Sequence, residues 1–201
     1  MPTLEPRTLL GVFAHPDDET FGPGGTLAKY AASGVDVHVI IGTDGDAGSV
    51  EEDHKRADGR TLSQERMEEL TNAALLLNVT SIWNLPFRDS GMRGSPDNDH
   101  PRAIRQPVAE LVAELTDYIR RLRPQVIITH DPFGAYGHPD HIRLCEVMSA
   151  AFYQAGNPDY VGLDANLAPY TPQKLYFRAL DRRMVQWAVR VMNFTGQNRA
   201  P

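Results

Sequence analysis

Short apolar runs alternate with segments of helical periodicity along this chain, and this alternation limits the folds that it can adopt. The apolar runs lie at residues 8–14, 35–42, 79–85, 125–130 and 174–179. The helix-like segments between them lie at residues 24–33, 61–77, 108–122 and 139–154. Strands that alternate with helices are typical of a parallel sheet covered on both faces. We therefore predict a single α/β domain over residues 1–201, with a Rossmann-like, mostly parallel sheet.

Two clusters of polar residues follow predicted strands. The sequence AHPDDE occupies residues 14–19 after the first strand, and GAYGHPDH occupies residues 134–141 shortly after the fourth. In parallel sheets, ligands bind beyond the carboxyl ends of the strands. If these two strands are neighbours, His15, Asp18 and His141 could bind one metal ion. Two imidazoles and a carboxylate suit catalytic zinc, and they also suit non-haem iron.

The other polar residues of the two clusters are consistent with a hydrolytic site. A metal held by three protein ligands lowers the pKa of its water toward about 7. Asp17 could accept the proton of that water as a general base and return it to the leaving group. His138, three residues before His141, could donate a hydrogen bond to a developing oxyanion, best as an imidazolium.

Four stretches of the sequence resemble motifs of the LmbE-like, or PIG-L, zinc-dependent N-deacetylases. They read AHPDDETFGPGGTLAKY, RMEEL, RDSGM and GAYGHPDH. The resemblance is collinear from about residue 8 to about residue 150, and the pairing of AHPDDE with a downstream GHPDH is its most specific part. It implies that His15, Asp18 and His141 are zinc ligands and that Asp17 is the general base.

The resemblance also implies roles for residues around the metal site. His138 would be the electrostatic partner of the oxyanion, oriented by Asp140. Arg66 and Asp89 fall where relatives contact the hydroxyl groups of the sugar. Tyr136 matches a mobile tyrosine that helps to polarise the amide carbonyl. Without the resemblance, Arg66 would be interpreted as a surface ion-pair residue, because glutamates surround it in its helix.

Members of this family remove the acetyl group from N-acetylglucosamine carried on inositol, phosphatidylinositol, malate or another sugar. The RDSGM segment is most similar to the branch that makes or processes mycothiol, a glucosaminyl-inositol thiol. The resemblance therefore implies a zinc-dependent deacetylase of a small N-acetylglucosaminyl substrate. Three alternatives stay open: an amidase of mycothiol-type thiol conjugates, a non-catalytic sugar-binding protein, and a non-haem iron oxygenase. The spare Asp17 and the parallel sheet argue against the oxygenase.

The resemblance also leads to expectations about assembly and chain length. Relatives often form dimers or hexamers, so we expect a homo-oligomer. Many relatives continue well beyond the position of residue 201, and their C-terminal part helps to enclose the substrate. We expect that this domain lacks that part.

Composition restricts the partners and the compartment. The 20 basic and 26 acidic residues give a formal net charge of −6, which argues against a nucleic-acid or anionic-membrane partner. Cys145 is the single cysteine, so an intrachain disulfide is impossible and a reducing compartment is expected. The sequence has no signal-peptide pattern, and no apolar run approaches the roughly 18 residues of a membrane span. A cytoplasmic location follows as the expectation.

Three residues near the motifs have no single role that follows from the sequence. Glu19 could contact the site residues or merely be a loop acid. Cys145 lies one helical turn after His141, and we favour a small buried apolar residue over a fourth ligand. His130 ends the fourth strand and could neighbour the site. Two long polar loops, residues 43–60 and 86–105, are expected to act as active-site lids.

Overall fold

In the computed structural model, five strands alternate with four α-helices within the residues that the structure describes, which are 7–48, 59–104, 108–179, 183, 186, 187, 190, 191 and 194. The strands are β1 (Thr8–Phe13), β2 (Asp36–Thr43), β3 (Ser81–Phe87), β4 (Val126–His130) and β5 (Lys174–Arg178). The helices are α1 (Gly24–Ala32), α2 (Leu62–Leu76), α3 (Val108–Leu122) and α4 (Pro139–Ala155). A short 3₁₀ helix, Pro96–Asp99, lies between β3 and α3. The predicted α/β fold is confirmed.

The five strands form one parallel sheet in the order β3-β2-β1-β4-β5. At the centre, Leu9 of β1 pairs with Val37 of β2 on one side and with Val126 of β4 on the other. In chain order, β2 and β3 are added on one side of β1, and β4 and β5 are then added on its other side. The strand order therefore reverses between β1 and β4, and such a switch point opens a crevice at the carboxyl ends of the strands. Both polar clusters lead into this crevice.

Apolar packing on both faces of the sheet explains why β1 is an uninterrupted apolar run. Leu10 packs in one cluster with Leu115 of α3 and Leu144 of α4, and all three are fully buried. Phe13 points to the other face, where it joins a second cluster with Leu27 of α1. Burial of side chains of this size contributes about 1.5–3 kcal/mol each. The two clusters hold β1 firmly, and with it the start of the loop that carries His15.

Local signals in the sequence set the ends of the helices. Before α2, the Thr61 hydroxyl accepts from the backbone N–H of Gln64 at 3.2 Å, and the Gln64 side chain accepts from the Thr61 N–H at 3.0 Å. This is the predicted capping box. The helix α3 ends at Leu122, and Arg123 then takes a left-handed conformation (φ 50°) before Pro124. Within the described residues, no helix combines the length and the apolar character that crossing a membrane requires.

The two predicted lid loops are linked to each other by polar contacts where the structure describes them. Arg88 donates to the carboxylate of Asp46, which joins the second loop to the first. The Asn98 side chain donates to the carbonyls of Ser90 at 2.6 Å and Met92 at 3.0 Å. These hydrogen bonds join residues of the second loop to one another and stabilise its conformation. Positions 49–58 and 105 of the predicted lids lie outside the described residues.

Candidate active site

Three side chains from two distant segments direct donor atoms to one point in the crevice. His15 and Asp18 lie in the loop after β1, and His141 lies in the first turn of α4. His15 Nδ1 is 3.2 Å from His141 Nε2 and 3.4 Å from Asp18 Oδ2, and the distance from Asp18 Oδ2 to His141 Nε2 is 3.3 Å. The three donors thus form a nearly equilateral triangle. All three residues are buried.

The size of this triangle fits a tetrahedral metal ion. Metal–ligand distances of about 2.0–2.1 Å place the ligands of a tetrahedral zinc about 3.3–3.4 Å from one another. The other ring nitrogen of His15, Nε2, is 3.2 Å from Asp140 Oδ2 and 3.4 Å from Asp89 Oδ1, so this nitrogen carries the proton. In the neutral ring, which is the form that binds a metal, Nδ1 of His15 therefore presents its lone pair to the triangle. A cation is the natural partner of converging lone pairs and a carboxylate.

The charges around the triangle also favour a cation. Burial would lower the pKa of His15, but its contacts with Asp140, Asp18 and Asp89 outweigh burial and raise this pKa well above its usual value. Burial would raise the pKa of Asp18, but hydrogen bonds with His141 and His15 hold this pKa well below its usual value. The Asp18 carboxylate therefore stays negative and stabilises positive charge beside it.

Asp17 lies in the same loop as His15 and Asp18, but its side chain lines the open cavity. Its backbone has a φ of 131°, a conformation that L residues rarely adopt, and its N–H donates to Glu19 Oε2 at 2.9 Å. About half of the Asp17 side chain is exposed, whereas Asp18 is buried. Partial burial raises the pKa of Asp17, and the nearby Arg66 opposes that rise. Asp17 thus presents a partly exposed carboxylate to the cavity that adjoins the donor triangle.

Arg66 reaches from α2 into the loops around Asp17. Its guanidinium donates to Asp17 Oδ2 at 2.8 Å, to the Pro16 carbonyl at 2.6 Å and to the Gly45 carbonyl at 2.8 Å. One of its glutamate neighbours in α2, Glu68, pairs with Arg60 instead. Arg66 therefore orders the Asp17 loop as well as lining the cavity in front of it.

His138 is the N-cap residue of α4. Its Nδ1 accepts from the backbone N–H of Asp140 at 3.2 Å, so the proton of a neutral ring lies on Nε2. Burial, reinforced by the charge of His15, lowers the pKa of His138 to about 4. We expected an imidazolium at this position from the sequence. The structure instead favours a neutral ring near pH 7, whose Nε2–H can still donate a hydrogen bond.

Asp140 contacts a different histidine from the one expected. Its carboxylate accepts from His15 Nε2 at 3.2 Å, from the Ser90 N–H at 3.0 Å and from the Ser90 hydroxyl. Its hydrogen bond with His138 is made by its backbone N–H, and its carboxylate lies within 4.8 Å of a ring nitrogen of His138. A carboxylate that accepts from the distal nitrogen of a ligand histidine fixes the orientation and tautomer of that ring. The Asp140 side chain therefore orients His15.

Asp89 and Tyr136 lie at the wall of the same cavity, which has a volume of about 620 Å³. The Asp89 carboxylate accepts from the Gly91 N–H at 2.8 Å, and its proximity to His15 lowers its pKa although burial opposes this. The Tyr136 ring is 59% exposed and lies 6.0 Å from the ring of His138. Asp17, Arg66 and His138 line this cavity as well. The structure thus brings all nine predicted site residues together.

Three further residues complete the surroundings of the site. Glu19 is almost fully buried and accepts from the Asp17 N–H and, at 2.6 Å, from the Thr20 hydroxyl, so it contacts the site residues and is not a free loop acid. The ring of His130 stacks on that of His141 with centroids 3.9 Å apart. Arg178 of β5 donates to Asp18 Oδ1 at 3.2 Å. Nothing in the local sequence of β5 signals this contact, because it depends on the strand order.

Other groupings of donors occur in the same cluster. Donor atoms of His15, His138 and His141 lie within 4.8 Å of one another, and so do those of Asp18, His130 and His141. His130 is a poor ligand, because the lone pair of its Nε2 already accepts from the Ala14 N–H at 2.9 Å. Cys145 is buried, and the described residues place it in no such group, in agreement with a packing role.

Comparisons with known proteins agree with this arrangement. Residues 10–152 match the family described as "PIG-L: GlcNAc-PI de-N-acetylase". The chain is 41% identical to a 1D-myo-inositol 2-acetamido-2-deoxy-alpha-D-glucopyranoside deacetylase 2 of Catenulispora acidiphila, over 94% of this chain and 65% of that relative. A deacetylase of the same name from Thermobifida fusca, without the final numeral, is 40% identical over 92% of this chain and 66% of the relative. The chain thus spans about two thirds of the length of these relatives.

A solved structure extends the comparison to the fold. The N,N'-diacetylchitobiose deacetylase from Pyrococcus horikoshii superposes with a TM-score of 0.68 at 26% identity. The superposition covers 92% of this chain and 68% of that one. The overall fold described above is therefore similar to that of this deacetylase.

Proposed function

Because the chain belongs to the PIG-L family of de-N-acetylases, we propose that it is a metal-dependent hydrolase that removes the acetyl group from an N-acetylglucosaminyl substrate. One observation carries the proposal. Three buried donors converge at mutual distances of 3.2–3.4 Å, and the half-exposed carboxylate of Asp17, from the same loop as two of them, lines the adjoining cavity. This combination matches the needs of amide hydrolysis, which requires an activated water, a proton acceptor and a stabilised oxyanion.

The proposed metal ligands are His15, Asp18 and His141. Zinc is the proposed ion, and ferrous iron accepts the same set of ligands. When bound, such an ion supplies a Lewis acid and lowers the pKa of its water toward about 7. The Nε2–H of His15 would donate to Asp140, which fixes the ring for binding through Nδ1.

Asp17 is the proposed general base. Its Oδ2 is held by Arg66 at 2.8 Å, so Oδ1 remains for the proton of the attacking water. The water oxygen forms a bond with the acetyl carbonyl carbon while this proton moves to Asp17. Asp17 then gives the proton to the sugar nitrogen as the C–N bond breaks. The products are acetic acid and the amine, which near neutral pH become acetate and the protonated amine, so the same carboxylate acts as base and then as acid.

His138 and Tyr136 are the proposed residues for the acetyl oxygen. Since His138 Nδ1 accepts from the α4 backbone, its Nε2–H is free to donate to the oxygen that gains negative charge. Tyr136 lines the cavity with an exposed ring, and its hydroxyl is proposed to polarise the same carbonyl. Both contacts would strengthen in the transition state, which is the condition for an effect on kcat.

The proposed substrate is an N-acetylglucosaminyl inositol, the compound class in the names of the two relatives. A cavity of about 620 Å³ is in the range of small-molecule sites. Asp89 and Arg66 line it and are the proposed contacts to the sugar hydroxyls. We further propose that residues 1–201 act as one deacetylase domain, in a cytoplasmic homo-oligomer.

The test is acetate release from 1D-myo-inositol 2-acetamido-2-deoxy-α-D-glucopyranoside by the zinc-loaded protein. Free N-acetylglucosamine and a mycothiol-type thioether conjugate serve as comparison substrates. We expect acetate from the inositol glycoside, loss of activity with a chelator, and recovery on addition of zinc. Amine release from the conjugate alone would instead indicate an amidase. Binding of the glycoside without turnover, at full metal occupancy, would refute the enzymatic proposal.

A further inference from the structure

Arg178, the last residue of β5, reaches past β4 to the loop that follows β1. Its guanidinium donates to the Asp18 carbonyl at 3.0 Å and to the Phe21 carbonyl at 2.6 Å through one nitrogen. Through the other terminal nitrogen it donates to Asp18 Oδ1 at 3.2 Å. The Arg178 side chain is only 11% exposed. A single buried side chain therefore connects the edge of the sheet to the loop of the candidate metal site.

The two carboxylate oxygens of Asp18 have different partners. Oδ2 accepts from the backbone N–H of His15 at 3.0 Å and faces both His15 Nδ1 and His141 Nε2. Oδ1 is taken by Arg178. We propose that Arg178 is a positioning residue that holds Asp18 so that Oδ2 alone is presented to the metal ion. A carboxylate with two free oxygens can bind a metal through both, and an arginine on one oxygen prevents this.

Gly22 makes room for this contact. A Cβ atom at this position would lie 3.1 Å from Arg178 Cδ, and the φ of Gly22 is 107°, a value that side chains disfavour. The stem of Arg178 thus passes directly over a glycine in the metal-site loop. The guanidinium behind it fixes two carbonyls of the same loop, so backbone and carboxylate are set by one residue.

Arg178 lies outside the segment that matches the family, which ends at residue 152. The inference rests on the proposed function only in that Asp18 is a metal ligand. It adds a residue from β5 to a metal site whose proposed ligands come from the loop after β1 and the first turn of α4. Arg178 is not among the residues that line the cavity, so it acts through Asp18 rather than on the substrate.

The experiment compares Arg178→Met and Arg178→Lys with Lys174→Met, an exposed residue of the same strand whose loss removes one positive charge. Zinc affinity is measured by competition with a chromophoric chelator, and the absorption spectrum of the cobalt-substituted protein reports the coordination of the metal. We expect Arg178→Met to weaken zinc binding about 10- to 100-fold. Its cobalt spectrum should shift toward higher coordination, because Oδ1 becomes available.

Arg178→Lys should lie between wild type and Arg178→Met, because an ammonium keeps the charge but cannot donate to three acceptors in the fork geometry of arginine. Lys174→Met should bind zinc as wild type does. In turnover assays, Arg178→Met should lower kcat while KM changes less than about threefold, since the lost stabilisation acts on the chemical step.

Unchanged zinc affinity and an unchanged cobalt spectrum in Arg178→Met would overturn the inference, and so would an equal loss in Lys174→Met. If Arg178→Met fails to fold by circular dichroism, Arg178→Lys decides: a wild-type affinity and spectrum in it would count against the inference. The metal measurements need no turnover. A wild-type protein that binds zinc but releases no acetate would therefore refute the proposed function and leave the role of Arg178 supported.

Discussion

At the scale of single residues, Asp17 and Asp18 have the same side chain and opposite environments. Asp18 is buried and faces two imidazoles and an arginine, whereas Asp17 is half exposed and contacts Arg66. The φ of 131° at Asp17 is what separates their directions, and the Glu19 carboxylate stabilises this turn by accepting the Asp17 N–H. Local strain of this kind costs about 1–3 kcal/mol and is retained where function requires it.

This separation predicts different results for two substitutions. Asp17→Asn keeps the shape and the donor triangle but cannot accept a proton, so kcat should fall by about 10²–10⁴ while zinc content stays at the wild-type level. His141→Ala removes one corner of the triangle and should lose zinc as well as activity. Metal analysis and acetate release, measured on the same samples, check both. Full turnover by Asp17→Asn would exclude Asp17 as the base.

At the scale of elements, α4 shows how secondary structure places chemistry. Its first turn carries His138 as the cap, Asp140 and His141, while Leu144 and Met148 further along are fully buried in the core. The buried face fixes the rotation of the helix about its axis. The side chains of the first turn consequently have fixed directions. Together with its cap, this turn supplies the proposed ligand His141, the Asp140 carboxylate that orients His15, and the hydrogen-bond donor His138.

The pairing of β2 with β3 contains a histidine that is not part of the site. His38 Nδ1 lies 2.7 Å from the Ser81 hydroxyl, its ring lies 5.4 Å from that of Trp83, and burial lowers its pKa below the usual value. The unfolded chain therefore binds a proton more readily than the folded protein. The free energy of unfolding should accordingly rise as pH increases toward and past about 6.5, and fall as pH decreases below that value.

Urea unfolding of wild type and His38→Gln between about pH 5 and pH 8 tests this. Glutamine can still reach the Ser81 hydroxyl but does not titrate in this range. As pH increases, we expect the unfolding free energy of wild type to rise relative to that of His38→Gln. His100, which is partly exposed, provides the control as His100→Gln. A difference that is constant over the range would contradict the prediction.

At the scale of the whole molecule, the proposed metal site joins the loop after β1 to the helix after β4. These two elements follow the strands between which the strand order reverses. A metal ion that binds only the folded protein stabilises it by mass action, by about 2.7 kcal/mol when free zinc is 100 times its dissociation constant. Removal of metal by a chelator should therefore lower the thermal midpoint, and zinc should restore it. Thermal unfolding of His141→Ala serves as the control, since zinc should leave its midpoint unchanged. An equal shift in this variant would mean that zinc acts elsewhere.

The sequence allowed the elements and the site clusters to be predicted because both leave local signals. Apolar periodicity marks β1 and α3, the Thr61–Gln64 pair marks the start of α2, and the two motifs place titratable groups directly after strands. Contacts that depend on the order and register of strands leave no such signal. The reach of Arg178 to Asp18 and the orientation of Asp140 toward His15 are of this second kind, because each joins residues more than a hundred positions apart.

The position of the crevice between β1 and β4 has a consequence for the order of assembly. These two strands pair although more than a hundred residues separate them, so their contact closes a long loop and has high contact order. During synthesis, His15 and Asp18 emerge early, and His141 joins them only when β4 has docked. The full set of proposed ligands is therefore assembled only in a chain that has completed its central topology. Metal capture would then report correct folding, and an ion would be retained by properly assembled molecules alone.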